Sequence, residues 1–358
     1  MSGNPNKNYN NRYKEKAPGN PKFRLKPDEA EIVLEYRRIR DEAVAAGINP
    51  NSIKHGWIKS KKASLFFKNP HYQKEEYDKF KEELIKELAE YSPVFSKIKR
   101  KQSSDPHLLI LDPADVHIGK LCTSLVSGKE YNSQIAVQRT LEGVSGILNK
   151  TAGFNFDRIV LILGNDILHV DGPNNTTTRG TRQDVDGMWY DNFLLAKKLY
   201  VDIIDYLVNI ADVYIMYNPS NHDYMSSFFL ADIIKVYFKN HKNVKIDSSL
   251  QYRKYFTYGT NLIGSCHGDG TKMDTLPYLM ADEAKDWSSC KYRYMFTHHV
   301  HHKIAKDYPG LSIESLRSPS GSDVWHHKMG YTSSNNAAIE GYVHNPKFGQ
   351  VARITNLF

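Results

Sequence analysis

Three cysteines in 358 residues, Cys122, Cys266 and Cys290, are too few and too scattered for a disulfide framework, and they form no CxxC pair. That excludes a small disulfide-stapled secreted domain and points to a reducing, cytoplasmic setting. No apolar run approaches the ~18 residues of a membrane span, so no membrane association is expected. The opening MSGNPNKNYN is polar throughout and shows no signal peptide. Internal repeats are missing too. An excess of one charge is also absent from most of the chain: residues 104–358 carry 25 Lys and Arg against 26 Asp and Glu, a net of −1. The basicity sits in front, where residues 1–103 carry 23 against 14, a net of +9. A basic binding arm on a near-neutral catalytic body has this asymmetry, although Lys-rich helices that merely solvate themselves have it as well.

What is present divides the chain in three. Residues 1–27, rich in Asn, Lys, Pro and Gly, read as a disordered basic arm. Residues 28–100 read as a small all-α, helix-turn-helix-like basic module. A helix starts at Pro27-Asp28-Glu29, with acids at the positive end of its dipole. The stretch 41–62 then places a short helix with Ala43, a break at Gly47 and a second helix carrying Ile53 and Trp57. That second helix would present Ser52, Lys54, His55 and Lys59 to phosphates or bases; the alternative is a purely structural hairpin of helices. Residues 73–92 form an amphipathic packing helix in this reading, and Pro93 with the polar run 97–106 marks a linker.

From 104 to 358 the pattern is strand, helix, strand, with shorter antiparallel-looking strands later. Two packed mixed sheets with helices outside are expected. The apolar run 158–163 (RIVLIL) has the length and branching of a buried parallel strand and ends in Gly, Asn and Asp. A carboxylate there sits where α/β sheets place their ligands. Four other strand-like runs end in metal-binding types: Asp115 and His117; Asn221, His222 and Asp223; His267; and His299 with His301. In D-x-H and H-x-H an extended backbone would point residues i and i+2 to one side. Oxygen and imidazole donors suit divalent ions, and a carboxylate such as Asp166 can bridge two of them. A lone histidine of this kind is more often a packed or surface residue; five ordered strand ends are not so easily dismissed.

This ordered set resembles the signature of the calcineurin-like metallophosphoesterases: D-x-H, G-D, N-H-[DE], H, H-x-H. The resemblance covers about residues 106–302 and implies a four-layer αββα sandwich holding two divalent ions, manganese first, with iron, zinc or magnesium as alternatives. It implies Asp115, His117, Asp166 and His301 around one ion, and Asp166, Asn221, His267 and His299 around the other. Three family glycines are replaced, by Asn165, Ser220 and His298. In the run HHVHH, His298 and His302 are alternative donors to the assigned pair. The family mechanism is attack by a metal-bridging hydroxide, with His222 protonating the leaving oxygen or steadying the phosphate. Asp223 would orient it, and His169 is similar to a supporting histidine of the nuclease branch. For His169 and Asp223 ordinary loop roles stay open.

The D-x-x-H and N-H-D forms look more like the DNA-repair nuclease branch, including phage and bacterial types, than the protein-phosphatase branch. The expectation is therefore a phosphodiesterase cleaving nucleic acid, DNA before RNA. The loop 170–187 should overhang the metals and offer Arg179 and Arg182 as phosphate clamps and four threonines as sugar or phosphate contacts; a flexible solvated loop is the plain alternative. A homodimer and an ATPase partner are compatible with this branch. A phosphatase or small-nucleotide phosphodiesterase, and a nucleic-acid-binding protein with a structural metal site, are the competing readings.

Overall fold

In a computed structural model the described residues are 27–45, 50, 54–59, 64–68, 93–101, 103–328 and 336–358. The chain divides into two compact units, Met1–Glu90 and Tyr91–Phe358. The expected arm, apart from its last residue, and the expected helix 73–92 lie outside the described residues.

In the first unit, α1 (Pro27–Ala45) begins at the predicted proline but runs unbroken through the segment read as a second short helix. The all-α reading fails beyond it. Strands β1 (His55–Lys59) and β2 (Ser64–Lys68) pair antiparallel where the recognition helix was expected. Aromatic residues on a short ribbon explain the change, because Trp57 opposes Phe66 and their rings meet edge to face at 5.3 Å. Lys54 therefore immediately precedes β1 and Lys59 ends it; neither lies on a helix.

The second unit opens with a strap, residues 93–101, read from sequence as linker. Phe95 stacks on Phe238 and His241, and the backbone of Ile98 bonds in both directions with the Asn243 side chain. Arg100, bonded to the Asp212 carboxylate and the Val208 carbonyl, completes the docking. In chain order there follow β3 (Pro106–Asp112), α2 (Ser133–Lys150), β4 (Asn155–Gly164), α3 (Trp189–Leu207), β5 (Asp212–Asn218), α4 (Tyr224–Tyr237) and β6 (Val244–Asp247). Next come β7 (Lys254–Tyr258), β8 (Asn261–Ser265), α5 (Leu276–Glu283), β9 (Tyr292–Thr297), β10 (Ile304–Tyr308), β11 (Leu311–Ser315), β12 (Ala338–Asn345) and β13 (Gly349–Leu357). One sheet runs β13-β12-β3-β4-β5-β6 and the other β10-β11-β9-β8-β7; both mix parallel and antiparallel pairs.

Period-two alternation builds the layers. Leu109, Leu111, Ile159, Leu161, Val213 and Ile215 face a core shared with residues of α2, α3 and α4. Their neighbours Leu108, Ile110, Val160, Ile162 and Met216 face Ile263 and Phe296 of the second sheet. The far side of that sheet packs Leu262, Met295 and Ile313 with Leu276 and Met280 of α5. This is the expected four-layer αββα sandwich. Among the described residues no helix is long and apolar enough to cross a membrane.

Candidate metal centre

The carboxyl ends of β3, β4, β5, β8 and β9 converge, and each delivers part of one cluster. The segments after β3 and β4 run side by side: Asp115 N–H donates to the Asn165 carbonyl at 2.8 Å and His117 N–H to that of Asp166 at 2.9 Å. Cross-sheet bonds bring in the rest. Asn218, ending β5, exchanges bonds with Ser265 of β8 at 3.0 and 2.8 Å. His298, after β9, points Nε2 at both oxygens of Asp112 and Nδ1 at the Cys266 carbonyl, each at 3.0 Å. All those neighbours accept, so both ring nitrogens carry protons. Burial opposes that charge, but the Asp112 carboxylate holds the His298 pKa above its ordinary value.

The donors are not aimed by extended backbone, as the i, i+2 spacing suggested. Asp115, His117, Asn165, Asp166, His299 and His301 all have left-handed φ, from +48° to +72°. Alternate left-handed residues turn both side chains of D-x-H and of H-x-H into the same space. Each such residue costs on the order of 1–3 kcal/mol, so the surrounding bonds must over-determine it. Gly164 begins the sharp turn: at φ +99° a Cβ would stand 2.0 Å from the Asn218 carbonyl oxygen. Asn165 follows at φ +55°, a conformation asparagine tolerates.

Three trios result: Asp115, His117 and His301; Asp166, His267 and His299; and, sharing His117 with the first, His117, His169 and His222; the first two carry the carboxylates. Asp166 lies between them, its Oδ2 3.2 Å from His267 Nε2 and 4.0 Å from His117 Nε2. Asn221 Oδ1 joins the second trio at 2.8 Å from His267 Nε2. The register of HHVHH is thereby decided: His298 is bound to Asp112, and exposed His302 donates Nδ1–H to the Val300 carbonyl. Burial alone would raise the Asp166 carboxyl, but His267 and His222 hold it well below the usual carboxylate range. Burial opposes charge on His267, yet Asp166 lifts it to about 9. His117 is pushed well below its ordinary value by burial and then by His222 and His301.

Does this donor set suit cations? His117 Nε2 and His301 Nε2 stand 3.1 Å apart, too close for both to carry protons. Asp115 Oδ1, fully buried, lies 3.5 Å from His301 Nε2 and accepts no hydrogen bond. Around Asp115 acceptors converge on acceptors, and in the second trio His267 is held against Asp166 and Asn221; oxygen and imidazole donors grouped about a shared carboxylate fit a pair of divalent ions. The buried His/Asp clusters thus form a centre shaped for two metal ions.

The remaining expected residues separate. His222 donates Nδ1–H to the His169 carbonyl at 2.9 Å, which leaves Nε2 for chemistry, and its ring lies 4.7 Å from that of His117. His169 supports the cluster with Nδ1 3.3 Å from His117 Nδ1. Asp223 does not orient His222. Its carboxylate accepts from Leu168 N–H and from Ser220 Oγ, which in turn accepts from Asp166 N–H, all at 2.7–2.8 Å. Ser220 is therefore a relay that braces Asp166. The overhanging loop is pinned. Asp171 accepts from Met225 and Ser226 N–H at the start of α4, and Thr178 is held between Asp171 and Tyr224 N–H. Arg182 and Thr181 line the metal cleft of about 680 Å³; Arg179 lines a neighbouring cavity. Lys120, missed in the sequence, is buried in the cleft wall and paired with Asp323 at 3.0 Å. Its only signal was its place three residues after His117.

No protein-family model matches the chain, and no curated protein does. Among solved structures it is similar to an archaeal phosphodiesterase at 8% identity and TM-score 0.32, covering 70% of this chain and 99% of that one. Vps29 of Chaetomium thermophilum matches at 13% identity and TM-score 0.31, covering 70% and 98%. A zinc complex of Vps29 from Entamoeba histolytica matches at 11% and TM-score 0.27, covering 70% and 98%.

Proposed function

We propose that this protein is a metal-dependent phosphodiesterase of the calcineurin-like metallophosphoesterase type, acting on nucleic acid. The observation that carries the reading is Asp166, a buried carboxylate lying between two histidine-and-aspartate trios at the carboxyl ends of five strands. Asp115, His117, Asp166 and His301 would hold one ion, and Asp166, Asn221, His267 and His299 the other. When bound, such ions supply positive charge for phosphoryl oxygens and acidify water.

The chain's own residues complete the chemistry. His222, with Nδ1 fixed by a carbonyl, presents Nε2 to protonate a leaving oxygen. Lys120 and Arg182 line the cleft and can meet non-bridging oxygens, Arg182 with a planar fork suited to phosphate. Asp223 and Ser220 hold Asp166 in its left-handed pose, so the bridging group does not have to reorganise. A polyanionic substrate accords with the net +9 of residues 1–103.

Full-length protein given manganese, iron, zinc or magnesium in turn should cleave single- or double-stranded oligonucleotides, DNA before RNA. Hydrolysis of small phosphoesters alone, unchanged by deleting residues 1–103, would favour the phosphatase reading. No uptake of any of these metals would end the proposal.

A further inference from the structure

Beside the metal centre lies a second cavity of about 720 Å³, lined in part by His267, which clusters with Asp166 and His299 of the cleft. Its other walls are Tyr252, Arg179, the Gly268–Thr271 loop, and Arg253 with Tyr255. Three features mark it as a binding site rather than a packing fault. Tyr252 leaves 48% of its surface open, and behind it the Tyr224 ring lies nearly parallel, 6.2 Å away at 23°. A planar group on Tyr252 would therefore extend an existing stack. The charges are sorted: Arg253 is matched by Glu283, two of its contacts at 2.9 and 3.1 Å, while exposed Arg179 meets no carboxylate among the described residues. In the loop, Gly268 stands at φ +101°, and the backbone N–H groups of 268–271 find no protein acceptor among the described residues. Asp269, in the same loop, adds a carboxylate acceptor.

We infer that this cavity is a nucleoside subsite, which takes the sugar and base on one side of the phosphate bound in the metal cleft. The inference rests on the phosphodiesterase reading and names what that site recognises. An aromatic face stacks any base, the loop N–H groups and Asp269 pair with base edges or sugar hydroxyls, and Arg179 takes the next phosphate. Asp269 would repel a phosphate group lodged in the cavity itself, which favours a neutral ring there. The size lies within the range of pockets that hold small organic ligands.

The test uses the dinucleotide dTpdT and the trinucleotide dTpdTpdT with full-length protein. Calorimetric titration of either into EDTA-treated protein should show saturable binding, weakened about tenfold by Tyr252→Ala and retained in Tyr252→Phe, while Arg179→Ala should weaken the trinucleotide, which carries a next phosphate, more than the dinucleotide. With manganese, the Tyr252→Ala effect on dTpdT hydrolysis should fall in KM rather than in kcat. No saturable binding by the wild type, or equal binding by Tyr252→Ala, overturns the subsite. Binding that follows these expectations without hydrolysis in any metal would leave the subsite standing and remove the catalytic reading. Hydrolysis that is indifferent to Tyr252 and Arg179 would do the reverse.

Discussion

Two buried polar clusters in the same unit show how a structural network differs from a functional one. Between β12 and its neighbours, Glu340 Oε1 accepts from Arg317 and Arg353, both at 2.8 Å, and Arg353 also meets Glu314 at 3.2 Å. Opposite charges face each other there, although Glu340 Oε2 and Arg353 Nε are buried without a hydrogen-bond partner. At the strand ends the pairing rule is broken: imidazole nitrogens face one another, and a buried Asp115 oxygen accepts nothing. In the first cluster each charge is balanced by an opposite charge of the protein. The second gathers a donor set that fits cations, and the left-handed backbone that aims it stores strain of the kind found at functional sites.

Replacing the shared carboxylate should sharpen that contrast most. Asp166→Asn is expected to lower turnover by on the order of a thousandfold and to reduce metal content, read by elemental analysis alongside kinetics. His222→Ala should cost about a hundredfold at unchanged metal content, which separates proton delivery from ion binding. Glu340→Ala is the counterpart in the charge-balanced network. Leaving the half-buried Arg317 without this carboxylate and Arg353 with Glu314 alone should cost about 3–5 kcal/mol in denaturant melts, while the folded fraction keeps its metal. Equal loss of metal in that variant would erase the distinction between the clusters.

Metal removal should act on one cluster only. Manganese at a hundredfold over its Kd is expected to stabilise the protein by about 2.7 kcal/mol, a gain that EDTA reverses in thermal melts of the wild type and that Asp166→Asn lacks. An effect that vanishes near neutral pH concerns His344 on β12, buried with neither ring nitrogen hydrogen-bonded and pushed down by burial to about 3 from an ordinary 6.5. The unfolded chain takes up a proton there that the folded chain refuses. Stability is therefore full above pH 6.5 and falls towards pH 3, by up to about 1.4 kcal/mol per pH unit from this group. His344→Phe should flatten that slope; an unchanged slope would show that other groups set it.

Much of the second unit was legible because its signals are local. Apolar strands with polar residues just past their ends identify both the sheet and the ligands, and Asp166 stood out at the close of RIVLIL. The elements missed lack such a signal. β12 (AIEGYVHN) is wholly buried, but its Glu, Gly and His disguise it, since the Arg317 and Arg353 partners that make a buried Glu340 tolerable lie 23 and 13 residues away. The recognition helix was a misreading of a different kind: Trp57 and Phe66 pair across a ribbon, and helical spacing in so short a segment does not exclude that.

From the order of residues alone came the layer architecture and the candidate metal donors that the structure brings together, because alternation and strand-end chemistry are written within a few positions. Only the tertiary structure decided which histidines of HHVHH enter the centre, that Asp223 braces Asp166 rather than steering His222, and that Arg179 and Arg182 serve different cavities. Those outcomes depend on distances between strand ends in two sheets and on backbone turned left-handed by its surroundings. Nothing within a short window of sequence encodes either.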